Sequence, residues 1–293
     1  MLHDSNFRIT IRERVFNGRT RSAQNLPFDR FTFSGGEVQV RLMFAHHTTQ
    51  GLKDENVEIN ARLLSSDDIM TLLLLTDAIR RQGAIGIHLV CPYVPYARQD
   101  RACASGEAFA SRVMARLLDG LFDSITIWDV HSDITLAMLR DGVKDHAVVN
   151  VPAAHFIQGH LKSGDIVVSP DKGAISRATE CASNKGNAVL VMGKTRDPNT
   201  GYLSKFHIED DANIIDKTAD IMVVDDICDG GRTFIGVAKC LRDAGYLGKM
   251  RLFVTHGIFS AGFDNLLSCF DEVLTANCLY KGPLPDGVQV VTP

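Results

Sequence analysis

The chain lacks any run near the roughly 20 consecutive apolar residues that a membrane-spanning helix requires, so no such helix is expected in it. Its opening residues, MLHDSNFRITIRERVF, alternate polar with apolar side chains without an uninterrupted apolar stretch, and neither a signal peptide nor an anchor is read there. Cysteine pairing is missing as well. Cys91, Cys103, Cys181, Cys228, Cys240, Cys269 and Cys278 are odd in number and scattered, with no CxxC spacing, which fits reduced thiols better than a disulfide framework or a zinc site. A cytoplasmic location follows as the expectation. A dominant charge is absent too: a net charge of −4 and a pI near 6.2 leave no overall basic field of the kind that holds nucleic acid regardless of sequence. No nucleic-acid partner and no membrane partner are expected, and any anion site must be local. Low-complexity tracts, internal repeats and flexible linkers are also lacking.

What is present is the patterning of an α/β protein. With 293 residues the chain is long for one core and short for three, and 45% hydrophobic with 23% charged residues is ordinary for a chain that folds throughout. Residues 66–82 open on a Ser/Asp cap, carry apolar side chains at helical spacing and end at Gly83, predicting a helix. From Ala84 to Cys91 the inward candidates are Ile85, Ile87 and Leu89, on a strand that feeds the loop PYVPYARQDR. An amphipathic helix is predicted over 107–118, with Ala110, Val113, Met114 and Leu117 as its apolar face, then a strand over 125–130 leading to Asp129 and His131. The second half repeats this rhythm with strands at 165–170, 187–194, 220–226 and 251–257, and a helix after Arg232. Short apolar strands alternating with helices predict parallel sheets, with ligand residues gathered at the strand C-termini. Residues 195–213 are polar, hold Pro198 and Gly201, show weak periodicity, and are expected to form one long loop. The domain boundary is set at 149/150, giving 1–149 and 150–293.

The strongest local signal is IMVVDDICDGGRTF at 221–234. An apolar strand ends in Asp225 and Asp226, and a turn holding Asp229, Gly230, Gly231 and Thr233 opens a helix. Glycines let backbone N–H groups close around a phosphate, the helix N-terminus adds positive potential, and two strand-end carboxylates suit ribose hydroxyls. The same residues also serve a plain strand–turn–helix junction, which needs glycines and an acidic cap in any case.

VVDDICDGGRT resembles the phosphoribosyl-pyrophosphate-binding motif of type I phosphoribosyltransferases and of pyrophosphate-donating synthetases. Four further segments, FSGGE (33–37), PYVPYARQDR (92–101), SPDKGAISRA (169–178) and THGIFS (255–260), narrow the resemblance to the ribose-phosphate pyrophosphokinases, over roughly residues 30–280. The resemblance implies two phosphoribosyltransferase-type domains, each a mainly parallel sheet flanked by helices: an ATP-binding one first, a ribose-phosphate-binding one second. It implies that Phe33 and Glu37 belong to an adenine pocket completed by a neighbouring subunit, hence a homo-oligomer, dimer or hexamer. Arg98 and Gln99 contact ATP on the same grounds, and His131 and Asp171 stand near Mg2+, His131 also on the ATP side. Lys194 and Arg196 match the catalytic basic pair of a flexible loop, while Asp225, Asp226, Asp229, Gly230, Gly231, Arg232 and Thr233 match the ribose-phosphate site.

The implied reaction is transfer of the β,γ-diphosphate of Mg-ATP to the C1 hydroxyl of ribose 5-phosphate, giving phosphoribosyl pyrophosphate and AMP. Departures from the family pattern keep alternatives in play. Gly230 and Arg232 replace a threonine and a glycine, which suits a 5′-extended acceptor such as ADP-ribose, yielding ADP-ribose 1-diphosphate for NAD synthesis, unless Arg232 simply faces solvent. Gly35 stands where Asp or Asn is usual, and His131 is followed by SDITLAML rather than a glutamine-rich segment. Ending at VQVVTP, the chain shows no terminal helix of the kind tied to phosphate activation, so conventional allosteric control is not expected. A phosphoribosyltransferase consuming the diphosphate leaves FSGGE, PYVPYARQDR and the Lys194/Arg196 segment unexplained. A non-catalytic regulatory member of the family is the remaining alternative, and it should have lost the loop cations that this chain keeps.

Overall fold

The structure, a computed structural model, describes residues 6–16, 19–44, 51–141, 147–196, 203–209 and 216–292. The chain divides into two compact units, Met1–Val151 and Pro152–Pro293.

The first unit contains strands β1 (Phe7–Ile11), β2 (Arg14–Phe16), β3 (Arg19–Arg21), β4 (Gln24–Asn25), β5 (Phe28–Thr32), β6 (Val38–Leu42) and β7 (Asn56–Ala61). Helix α1 (Ser66–Arg81), β8 (Gly86–Val90), α2 (Ala110–Leu118), β9 (Ser124–Trp128), α3 (Asp133–Asp141) and β10 (Val148–Val151) follow. The main sheet has the order β10-β9-β8-β7-β1-β4, parallel from β10 to β7 and antiparallel at β1 and β4. Two hairpins, β2–β3 and β5–β6, stand as separate small sheets. Helix α1 starts where the Ser65 hydroxyl accepts the Asp68 N–H at 3.2 Å, and Asp67 and Asp68 in its first turn with Arg80 and Arg81 in its last complement the helix dipole. Its Leu72, Leu75 and Ile79 pack with Met114 and Leu118 of α2, Leu139 of α3 and the inward strand residues Ile59, Leu89 and Ile127 in one core. Each such burial contributes about 1.5–3 kcal/mol.

The second unit contains α4 (Ala153–Ile157), β11 (Ile166–Ser169), a 3₁₀ turn (Lys172–Ala174), α5 (Ile175–Ser183), β12 (Ala188–Arg196) and β13 (Leu203–Ile208). Then come β14 (Ile221–Cys228), α6 (Arg232–Asp243), β15 (Met250–Gly257), α7 (Asp264–Leu267), β16 (Glu272–Cys278) and β17 (Val288–Val290). The sheet order is β13-β12-β11-β14-β15-β16-β17, parallel except for β13. The central strands are buried on both faces, as parallel strands under crossover helices must be, and β15 is buried along its whole length. That burial includes Arg251, whose guanidinium donates to Asp165 Oδ2 and to the His160 carbonyl, each at 2.6 Å.

Three local expectations are corrected. Ile85 precedes β8 and is exposed, so of the three inward candidates Ile87 and Leu89 are in the core and Ile85 is not. Helix α2 begins at Ala110 rather than 107, because the Glu107 carboxylate turns back to accept the N–H groups of Cys103 at 2.7 Å and Ala104 at 3.0 Å. Its buried face is Ser111, Met114, Ala115 and Leu118, which leaves Val113 and Leu117 outside. The single loop expected over 195–213 is broken by structure: β12 runs on to Arg196, and β13 returns antiparallel to it, with Lys194 opposite Phe206 and Gly193 opposite His207. Phe206 and Ile208 pack against the core from this edge strand, and two apolar contacts in so short a strand leave little periodicity to read. Residues 197–202 and 210–213 of that expectation lie outside the described residues.

Candidate active site

In the second unit β14 is fully buried up to Val224 and turns polar at Asp225 and Asp226, whose side chains are 17% and 6% exposed. Asp225 Oδ1 accepts the Asp226 N–H at 2.9 Å, which fixes one carboxylate against the strand end. Arg177 of α5 lies 3.3 Å from Asp225 and 3.8 Å from Asp226. Burial, and then the charge of Asp226, push the Asp225 carboxyl well above the usual range, and Arg177 opposes both. Beyond the strand, Gly231 adopts φ +76 as the N-cap of α6 and offers no side-chain bond to the first-turn N–H groups. A side chain there would be strained by that φ and crowded by Leu266 at 3.0 Å. Asp229 accepts a 2.5 Å bond from Ser260 on the loop after β15. Next to it Gly230 faces open space, since an added Cβ would meet nothing nearer than Ser260 Oγ at 3.9 Å. Arg232 is exposed on the first turn and Thr233 is partly buried beside it.

Asp171, extended at the end of β11, accepts the Gly173 N–H on Oδ1 at 2.9 Å, and its Oδ2 is ion-paired to Lys194 of β12. The 3₁₀ turn after Asp171 touches both β12 and β14, so the Asp171–Lys194 pair and the Asp225–Asp226 pair flank one turn. Arg196 closes β12, and its side chain lies outside the described residues.

In the first unit, the loops following β8 and β9 meet. The Trp128 N–H donates to the Pro92 carbonyl at 3.0 Å and the Cys91 N–H to Thr126 at 2.9 Å. Arg98 and Gln99 are exposed on the first loop, where Tyr96 takes φ +65 and accepts the Gln99 N–H. The adjacent Asp100 is buried, held by Arg101 at 2.9 Å, and its carboxyl is pulled below the ordinary range by Arg101, with Ser132 and His131 assisting. His131 is exposed just past Asp129, a buried aspartate at φ +40, a costly conformation kept by its N–H bond to the Val151 carbonyl. Phe33 and Glu37 occupy a different element, the tip of the β5–β6 hairpin. Phe33 is 53% exposed and stacks edge-on against Phe31, and the Glu37 carboxylate curls into the space that a side chain at Gly35 would need. Among the described residues no group of three metal-ligating side chains converges.

Residues 22–121 match the model of the N-terminal domain of ribose phosphate pyrophosphokinase. Over 269 residues the chain is 32% identical to the ribose-phosphate pyrophosphokinase of Thermococcus kodakarensis, covering 89% of each. It is 29% identical to that of Pyrococcus furiosus over 84% of each. The chain belongs to the ribose-phosphate pyrophosphokinase family. It also superposes on the crystal structure of phosphoribosylpyrophosphate synthetase from Mycobacterium smegmatis with a TM-score of 0.73 at 24% identity, over 91% of this chain and 86% of the other. The fold is therefore that of a pyrophosphokinase with two phosphoribosyltransferase-type domains.

Within this pyrophosphokinase fold the sequence-derived residues fall into three groups: Asp171, Lys194 and 225–233 in the second unit, Arg98, Gln99 and His131 on the paired loops of the first, and Phe33 with Glu37 on the hairpin. Three polar residues had no role assigned from sequence, although each lies in or beside a quoted motif: Asp100 after Gln99, Arg177 in SPDKGAISRA and Ser260 in THGIFS. No spacing rule marks them out, because each acts on a partner distant in sequence or hidden by burial.

Proposed function

We propose that this chain is a diphosphotransferase acting on Mg-ATP and ribose 5-phosphate, yielding phosphoribosyl pyrophosphate and AMP. The observation that carries the reading is one face of the second unit, where two buried carboxylates, an uncapped glycine turn at a helix start, and a lysine paired to a further carboxylate flank a single turn. Asp225 and Asp226 accept hydrogen bonds from the ribose hydroxyls. The backbone N–H groups from Gly230 to Thr233 hold the 5′-phosphate, helped by the positive end of α6. The C1 oxygen attacks the β-phosphorus, its bond to the diphosphate forms as the bond to AMP breaks, and Lys194 balances charge on the transferring group. Arg98 and Gln99 take the nucleotide phosphates, Arg98 through its planar fork, and Phe33 and Glu37 take the adenine.

Asp171 offers the carboxylate oxygen that magnesium prefers, and Lys194 on its Oδ2 would have to give way to the ion, whereas the His131 ring nitrogen suits magnesium poorly and is assigned to the nucleotide side. When bound, magnesium neutralises phosphate charge. The retained Lys194 argues against a non-catalytic family member. A cytoplasmic homo-oligomer, dimer or hexamer, with the adenine pocket shared between subunits, goes with this reading.

A second acceptor class rests on the open space at Gly230: a 5′-extended ribose phosphate such as ADP-ribose, toward which Arg232, exposed on the first turn of α6, would have to turn. Incubation with ATP, magnesium and each sugar, followed by phosphorus NMR and AMP assay, tests the proposal. AMP and a sugar 1-diphosphate in equal amounts are expected, and ATP breakdown to ADP or free diphosphate alone sinks it.

A further inference from the structure

We infer that Arg177 is a positioning residue for the acceptor: its guanidinium bridges Asp225 and Asp226, turning one carboxylate oxygen toward the sugar hydroxyls. The inference rests on the acceptor-binding reading of that pair. Asp225 Oδ1 takes both the Asp226 N–H, at 2.9 Å, and Arg177 Nη1, at 3.3 Å, so these two donors share one oxygen. The carboxylate is thus fixed by one oxygen and presents the other. Arg177 does this from within the protein, its side chain 12% exposed on the third residue of α5, immediately after the turn that Asp171 caps.

A single guanidinium faces two largely buried carboxyl groups, one cation to two acids. Without Arg177 the pair would retain a proton at higher pH and lose acceptor capacity. The other groups around Asp225 do not replace it. The Cys228 thiol on the same strand is pushed up to about 12 by burial and by Asp229 and Asp225, so it is neutral. Lys172 on the neighbouring turn is paired to Glu209 at 3.0 Å, and His256 on β15 bonds Asn277 at 3.2 Å.

The test measures kcat/KM for ribose 5-phosphate against pH in wild type, Arg177→Gln and Arg177→Lys, together with carbon-13 NMR titration of the aspartate carboxyls. A protonated carboxyl turns one oxygen into a donor and keeps only a weaker carbonyl acceptor, so the sugar hydroxyls are held best by the ionised form, and removing the cation favours the protonated form. The acid limb of the Gln variant therefore moves upward in pH, with a loss about tenfold larger at about pH 6 than at about pH 8.5, while KM for ATP holds. The Asp225 carboxyl is expected to titrate at higher pH in the same variant. Both contacts come from the one nitrogen Nη1, and lysine, a compact and strongly hydrated point charge on a differently shaped stem, keeps the charge without that placement, so Arg177→Lys keeps the wild-type pH dependence and raises KM for ribose 5-phosphate about tenfold with kcat held. A pH-independent loss in the Gln variant, accompanied only by a lower Tm and an unmoved carboxyl titration, overturns the inference. Should the Gln variant not fold, an unchanged KM in Arg177→Lys overturns it alone. If the wild-type protein makes no AMP from ATP and ribose 5-phosphate, the acceptor reading fails, and the carboxyl titration still decides whether Arg177 governs the pair.

Discussion

Replacing Lys194 with alanine removes a cation from the reaction centre while leaving the hydrophobic core intact. The ammonium group pairs with Asp171, and the two side chains are 27% and 23% exposed. Discounted for that solvent access, the pair contributes about 1 kcal/mol or less to stability. Asp171 also keeps the Gly173 N–H after the change, and β12 keeps its backbone pairing with β13. Tm is therefore expected to fall by no more than about 4 °C. The kinetic effect is of a different size, because a preorganised charge on a transferring group is worth about 10²–10³ in rate, or about 2.7–4 kcal/mol of barrier. Measured as AMP release at saturating ATP and ribose 5-phosphate, kcat should drop by that factor with KM for ATP changed less than about threefold. Calorimetry on the same samples separates chemistry from folding. A variant with kcat within about fivefold of wild type would refute the assignment, as would a kcat loss explained by an equally large fall in folded fraction.

Arg251→Ala strands Asp165 in the second core and is expected to cost about 3–5 kcal/mol in denaturant unfolding; the double variant Arg251→Met, Asp165→Leu should recover most of it, and no recovery would refute the buried-pair account. Arg232→Gly is expected to lower kcat/KM for ADP-ribose by about tenfold and leave ribose 5-phosphate unaffected, since only the longer acceptor extends to that guanidinium; equal effects on both sugars would remove the extended-acceptor reading. Activity should vanish in excess chelator and return with magnesium, and His131→Ala should raise the ATP or metal concentration needed for half-maximal rate, while full turnover in chelator rejects the mechanism.

Much of the fold was legible because its signals are local. Helix α1 declares itself through Ser65, its apolar spacing and Gly83, and the helix lies within a residue of the expected span. β14 and the turn after it are equally readable, since an apolar run, a carboxylate pair and consecutive glycines sit within 14 contiguous residues, 221–234. Collinear motifs pointed to the family, and the relatives bear that out. Other features depend on neighbours far along the chain. The inner face of α2 is set by what the helix packs against, α3 among its neighbours, and the spacing of Val113 and Leu117 allows either face. β13 is a strand because β12 offers it an edge and Phe206 a place in the core, neither of which its polar sequence announces. Arg177 lies 48 positions from Asp225 and Ser260 lies 31 from Asp229, so these contacts arise only when α5 and the β15 loop are brought to the end of β14. Caps, turns and periodicity are short-range and survive in the sequence. Charge pairing and edge pairing are decided by distance in space, and only the folded chain sets that distance.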